Sequence, residues 1–259
     1  MAQPFQAVLG QATKTVPTKI MAASRNKIAD NLSRVRENIA QACARSGRNA
    51  GEVAIVAVTK TADMDAIKQA FDLGLTDMGE AKVQQLSERS AELATWLAKR
   101  DKPAAPRWHM IGHLQRNKVK QVLEVCDMIH SIDSLRLAEE ISVRAQKMGK
   151  QVDVLLQVNC SQEPQKFGCA VGAAPHLAEL MTTLKNLRVV GLMTIAELSD
   201  KPDNARRTFA LLRELFDELR NEKVGGDAFK HLSMGMSHDY EVAVEEGATL
   251  VRIGSAIFG

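Results

Sequence analysis

The chain has 259 residues, 45% of them hydrophobic and 25% charged, a composition that excludes global disorder. Its apolar runs reach about six residues, as over 53–58, where a membrane-spanning helix needs roughly twenty. The net charge is +3, but residues 1–50 hold a surplus of six basic groups and the remainder stands at −3, so the main body offers no basic nucleic-acid platform.

The first acidic residue is Asp30, and Pro4, Gly10 and Pro17 interrupt any amphipathic helix ahead of it. Residues 1–22 therefore read as a disordered basic tail, with a mitochondrial presequence as the lesser alternative. Over 24–46, Ile28, Leu32, Val35, Ile39 and Cys43 recur at three- and four-residue steps, which predicts a helix ending at Gly47. The apolar run 52–58 predicts a buried strand. Helices over 64–73, 82–99, 118–125 and 135–147 then alternate with strands over 76–79, 108–111, 128–130 and 152–158. Helices over 175–184, 204–221 and 240–245 alternate with strands over 188–193, 231–234 and 250–253. Eight strands alternating with helices after one leading helix predict a single (β/α)8 barrel over 23–259.

Active sites in such barrels lie at the C-terminal ends of the strands. Lys60 follows the first strand, where partial desolvation would favour Schiff-base chemistry; the plainer alternative is a solvated lysine opening the next helix. The last two strands run into Ser233-Met-Gly-Met-Ser237 and Arg252-Ile-Gly-Ser255. Gly235 and Gly254 let the backbone approach an anion, and Ser237 and Ser255 supply hydroxyls, although small residues at strand ends also serve as turn punctuation. A Schiff-base lysine and a phosphate cradle together suit pyridoxal 5′-phosphate. Arg252, at the same strand end, would meet the pyridine nitrogen and disfavour its protonation, unless it is spent on neighbouring carboxylates.

Seven strings now carry a resemblance: Ala57-Val-Thr-Lys60, Met78-Gly-Glu80, Trp108-His-Met-Ile-Gly112, Leu114-Gln115 with Asn117-Lys118, Gly191-Leu-Met193, Leu232-Ser-Met-Gly-Met-Ser237 and Val251-Arg-Ile-Gly-Ser-Ala-Ile-Phe-Gly259. In order and spacing, over about residues 25–259, the chain resembles the pyridoxal phosphate homeostasis protein family. The resemblance implies a fold-type III barrel similar to the N-terminal domain of alanine racemase, with Lys60 as the internal aldimine and Arg252 at the pyridine nitrogen. It also implies that Ser237, Gly254 and Ser255 hold the phosphate, while Ser233, Gly235 and Met236 line the seat. One departure is Ala81, where the family usually has Asn after Gly-Glu.

Other candidates read as structural. His109 and His113 lack a third metal ligand, and His109 is a core or rim histidine that also borders the seat. Cys160 and Cys169 have no His–acid partner, and the four cysteines form no C-x-x-C motif, as expected in a reducing, cytoplasmic compartment. The acidic helices near 204–221 and 240–246 read as solvated faces. Racemisation needs two acid/base groups, and the only tyrosine, Tyr240, is expected on the outside of a chain that stops after its last strand. The expectation is thus a monomeric, non-catalytic carrier that buffers pyridoxal phosphate or delivers it to apo-enzymes, with no nucleic-acid or membrane partner. A weak racemase and a Schiff-base aldolase acting on a sugar phosphate are the alternatives.

Overall fold

A computed structural model describes residues 18–100 and 105–259, with side chains from residue 27 onward. A long helix, α1 (Thr18–Arg45), leads into a short turn of 3-10 helix at Ala50–Glu52. Eight parallel strands follow: β1 (Ala54–Val58), β2 (Asp77–Glu80), β3 (Arg107–Met110), β4 (Met128–Ile132), β5 (Val152–Gln157), β6 (Leu187–Met193), β7 (His231–Ser233) and β8 (Leu250–Ile253). Between them run α2 (Met64–Asp72), α3 (Val83–Ala98), α4 (Val119–Leu123), α5 (Leu135–Lys147), α6 (Ala174–Thr182), α7 (Arg206–Asn221) and α8 (Tyr240–Glu245); α9 (Ser255–Phe258) follows β8. Each strand pairs with the next and β8 pairs with β1, closing the expected barrel.

Strand alternation sorts the apolar side chains into two cores. Val56, Met128, Leu155, Val190, Met193 and Leu250 fill the barrel interior. Ala57, Met78, Met110, Ile129, Leu192 and Val251 face the other way, into the larger core beneath the helices. The inward parity of Ala54 and Val56 on β1 continues to Lys60 at the mouth. At Gly191 (φ +152°) a Cβ would stand 1.8 Å from the His231 carbonyl oxygen, so only glycine lets β7 pair this closely.

Helix α1 seals the outside of the β8–β1 seam. Asn38 donates to the Tyr240 hydroxyl at 2.9 Å and to Glu241 at 3.0 Å, and Asn31 donates to the Ile257 carbonyl at 3.1 Å. This helix begins at Thr18, six residues before the expected start; the rest of the expected tail lies outside the described residues. The first strand starts at Ala54 rather than 52, because Asn49 accepts the Gly51 N–H at 2.8 Å and winds the preceding residues into a turn. The acidic helices are not simple solvated faces. Phe209, Leu212, Phe216 and Leu219 of α7 are buried, and Arg206 joins α7 to α8 through Glu245 and Glu246 at 2.8 and 3.0 Å.

Candidate functional site

Lys60 leaves the end of β1 with its side chain at the mouth, and among the described residues no hydrogen bond or ion pair engages its Nζ. The residue is exposed, contrary to the expected partial burial. The last backbone bond to β2 is from the Thr59 N–H to the Gly79 carbonyl at 3.1 Å, and Lys60 beyond it is exposed, so any desolvation of the amine has to come from what binds over it.

The backbone around Lys60 is held from below. Arg89 of α3 donates to the carbonyl oxygens of Thr59 at 2.5 Å, Lys60 at 3.5 Å and Ala62 at 3.0 Å. The same guanidinium pairs with Glu80, whose Oε1 also accepts the Thr59 hydroxyl. Glu80 is fully buried, and among the described residues its Oε2 has no hydrogen-bond partner.

Beside the end of β1, the loops after β7 and β8 meet at Ser237. Its Oγ accepts the N–H groups of Gly254 and Ala256, both at 3.2 Å, where α9 begins. Ser255 beside them is exposed. Gly235 (φ +90°) lies behind this contact; a Cβ there would stand 2.5 Å from Ala243 Cβ and 3.0 Å from Tyr240 Cα. Its carbonyl accepts the Arg252 N–H at 2.9 Å, which ties the two loops together. Met236 exposes its side chain, but its N–H is spent on Asp239 Oδ1 at 2.5 Å. Burial pushes the Asp239 carboxyl up, against that hydrogen bond and the pull of Arg252.

Arg252 sits deeper, 3% exposed, and donates to Ser233 Oγ at 2.7 Å and to the Thr194 carbonyl at 2.9 Å. Burial lowers its pKa to about 10, with the Asp239 carboxylate opposing. No neighbouring carboxylate takes its hydrogen bonds among the described residues, so the alternative expected for this arginine falls away. Ser233 has no accessible surface and is shared between Arg252 and His130 Nδ1, the latter at 2.9 Å. It therefore reaches the mouth through Arg252 and does not line it. His109 is likewise a core residue, bonded to His130 and Asp77 at 2.9 and 2.8 Å, and not at the rim.

Lys60, Ser237, Gly254 and Ser255 thus share the mouth with Met236, while Gly235, Ser233 and Arg252 support it from within. Sequence reasoning missed Asp77, His130, Thr194 and Arg89, and met Glu80 only within a string of residues. His130 had one available signal, a polar residue two positions from the inward-facing Met128 in β4. Elsewhere, His113 stacks on Phe167 with ring centroids 4.0 Å apart, and no metal-ligating cluster exists among the described residues. Burial pushes the thiols of Cys160 and Cys169 up to about 11 and about 12, so both are poor nucleophiles.

An exposed amine, a serine hydroxyl gathered with two backbone N–H groups at the start of a helical turn, and a buried guanidinium suit a small aldehyde that carries an anionic group. Residues 30–259 match the family described as alanine racemase, N-terminal domain. The pyridoxal phosphate homeostasis protein of Aquifex aeolicus is 42% identical over 230 residues, covering 89% of this chain and 96% of that one. The chain belongs to the pyridoxal phosphate homeostasis protein family. Among solved structures, one described as an unknown protein from Bifidobacterium adolescentis superposes with a TM-score of 0.86 at 40% identity, over 95% of this chain and 99% of that one. Synechococcus elongatus PipY, solved with pyridoxal phosphate bound, gives 0.76 at 31% identity, over 90% of this chain and all 100% of PipY. Membership in the homeostasis family accounts for a barrel that keeps the alanine racemase topology and sets polar groups at the mouth.

Proposed function

We propose that this protein holds pyridoxal 5′-phosphate at the barrel mouth, and buffers or delivers it without turning over a substrate of its own. The observation that carries the reading is the meeting, at the neighbouring ends of β1 and β8, of a Lys60 amine unpaired among the described residues and the Ser237 hydroxyl on which the Gly254 and Ala256 N–H groups converge, with Arg252 buried beneath. The PipY structure with pyridoxal phosphate bound supports the choice of ligand. When bound, the cofactor supplies an aldehyde for a lysine amine, a phosphate dianion and a basic ring nitrogen.

Lys60 is the covalent anchor, and Arg89 fixes the backbone from which it projects. Ser237, Gly254 and Ser255 hold the phosphate, with Gly235 and Met236 shaping the loop. Arg252 faces the ring nitrogen as a permanent cation and keeps a proton off it, which weakens the electron sink that a racemase or transaminase exploits. Racemisation also needs a second acid/base group opposite the lysine. The single tyrosine lies in the outer layer, its hydroxyl bonded to Asn38, and the Cys160 and Cys169 thiols are held in their neutral form. The protein is a cytoplasmic monomer in this reading, with apo-enzymes that need the cofactor as its recipients; no helix among the described residues is long and apolar enough to cross a membrane.

Incubation with single amino-acid enantiomers tests the non-catalytic assignment. The expected result is a visible absorbance band on adding the cofactor, absent in Lys60→Ala, with no conversion of L- to D-amino acid. Conversion that disappears in Lys60→Ala overturns it.

A further inference from the structure

Five polar side chains cross the barrel interior in one unbroken row. Arg252 Nη1 donates to Ser233 Oγ at 2.7 Å, and that oxygen lies 2.9 Å from His130 Nδ1. His130 Nε2 is 2.9 Å from His109 Nδ1, and His109 Nε2 is 2.8 Å from Asp77 Oδ1. The row draws on β8, β7, β4, β3 and β2 in turn. It ends at the N-terminal rim, where exposed Arg107 also donates to Asp77, through Nε at 2.9 Å and Nη2 at 2.5 Å.

The two ends fix every proton between them. A guanidinium can only donate. Asp77 Oδ1 takes two N–H donors from the Arg107 guanidinium, which holds it as a carboxylate that only accepts; burial pushes this carboxyl up, but its hydrogen bonds and the charges beside it outweigh that and leave it below the usual carboxylate range. His109 must therefore carry a proton on Nε2. With its Nδ1 accepting, His130 carries its proton on Nε2 and accepts the Ser233 hydroxyl at Nδ1, and every buried donor finds an acceptor. The reverse order needs a second proton on His109 and a proton on His130 Nδ1. Ser233 then receives from both neighbours, and its own hydroxyl hydrogen has no acceptor among the described residues, an uncompensated desolvation.

We propose that Asp77, His109, His130 and Ser233 are positioning residues for Arg252: a one-way row of hydrogen bonds that keeps both imidazoles neutral as Nε2–H tautomers and fixes the angle at which the guanidinium meets the cofactor ring. The functional part rests on the assignment of Arg252 to the ring nitrogen. Burial, with the charge of Arg252 adding to it, holds His130 well below its ordinary pKa, which agrees with a neutral ring. With Nη1 on Ser233 and Nη2 on the Thr194 carbonyl, Arg252 has no freedom to swing, and a cut at Asp77 is felt at the opposite end of the barrel.

Nitrogen NMR of histidine-labelled, cofactor-free protein near pH 7 is the first test. Protons on Nε2 of both rings, with bare Nδ1 atoms, are expected; a proton on His130 Nδ1, or a doubly protonated His109, overturns the row. In Asp77→Asn the His130 signals move together with those of His109, although His130 does not touch Asp77; unmoved His130 signals contradict the coupling. If Asp77→Asn fails to fold, Ser233→Ala cuts the row at its other end and shifts the same two rings. In protein loaded with pyridoxal phosphate, Ser233→Ala, which takes a hydrogen bond from Arg252, moves the pH midpoint of the visible spectrum by about one unit, and Asp77→Asn, which leaves that bond in place, moves it by less. A wild type that takes up no cofactor defeats the seat, while the NMR result still judges the row. A normally loaded protein whose spectrum neither variant moves overturns the positioning role and leaves the seat standing.

Discussion

Replacing Gly235 by alanine perturbs the loop that joins β7 to α8 without removing a polar group. At φ +90° a residue with a Cβ costs about 1–2 kcal/mol. The added carbon would also stand 2.5 Å from Ala243 Cβ and 3.0 Å from Tyr240 Cα. Neither atom is the tip of a flexible side chain, so the loop or α8 has to move, and overpacking of that kind costs about 1–3 kcal/mol. The combined destabilisation is about 2–5 kcal/mol. The displaced loop carries Ser237 away from the N–H groups of Gly254 and Ala256, so cofactor retention falls as well. Urea denaturation of the cofactor-free variant measures the loss, with Gly172→Ala as control, since a Cβ there meets nothing within 4 Å. The control should stay within about 0.5 kcal/mol of wild type. A loss below about 1 kcal/mol for Gly235→Ala would refute the claim that this loop is sterically fixed.

Arg89→Ala strips the charged partner from the fully buried Glu80 side chain, leaving it the Thr59 hydroxyl, and should cost about 3–5 kcal/mol in denaturant unfolding. Combining it with Glu80→Gln should recover part of that cost, whereas strictly additive losses contradict the coupling. Ser237→Ala with Ser255→Ala is expected to weaken pyridoxal phosphate retention about tenfold in equilibrium dialysis, and unchanged retention places the phosphate elsewhere. Burial lowers the His231 pKa to about 4 and holds His130 well below its ordinary value. Both rings are neutral when folded and protonate on unfolding. Their contribution is therefore complete above the unfolded pKa near 6.5 and is lost as pH falls through the folded values. Two protons taken up on unfolding give a stability slope of about 2.7 kcal/mol per pH unit near pH 5, which His231→Gln should roughly halve; an unchanged slope contradicts the assignment.

The order of eight strands was legible because each is a short apolar run bounded by turn residues, and the alternation with helices repeats along the whole barrel. Element ends were less so: the Asn49 cap delays β1, and the four-residue α9 is too short to show a periodicity. Lys60, Ser237, Gly254 and Ser255 could be picked out because they follow strands, and the fold places strand ends at the mouth. The row behind Arg252 could not, because its links join residues 21 and 103 positions apart that only barrel closure brings together. Ser233 was misjudged for the same reason: its partners His130 and Arg252 come from strands on either side of the interior. Arg89 gave no signal at all, since an arginine on an amphipathic helix looks solvated until its fold is known.

The seat is tested most directly by loading the protein with pyridoxal phosphate, reducing it with borohydride, and mapping the modified peptide by mass spectrometry. A pyridoxyl group on Lys60, and on no other lysine, is the predicted result. Stoichiometric retention of the cofactor with the label on a different lysine would contradict the account.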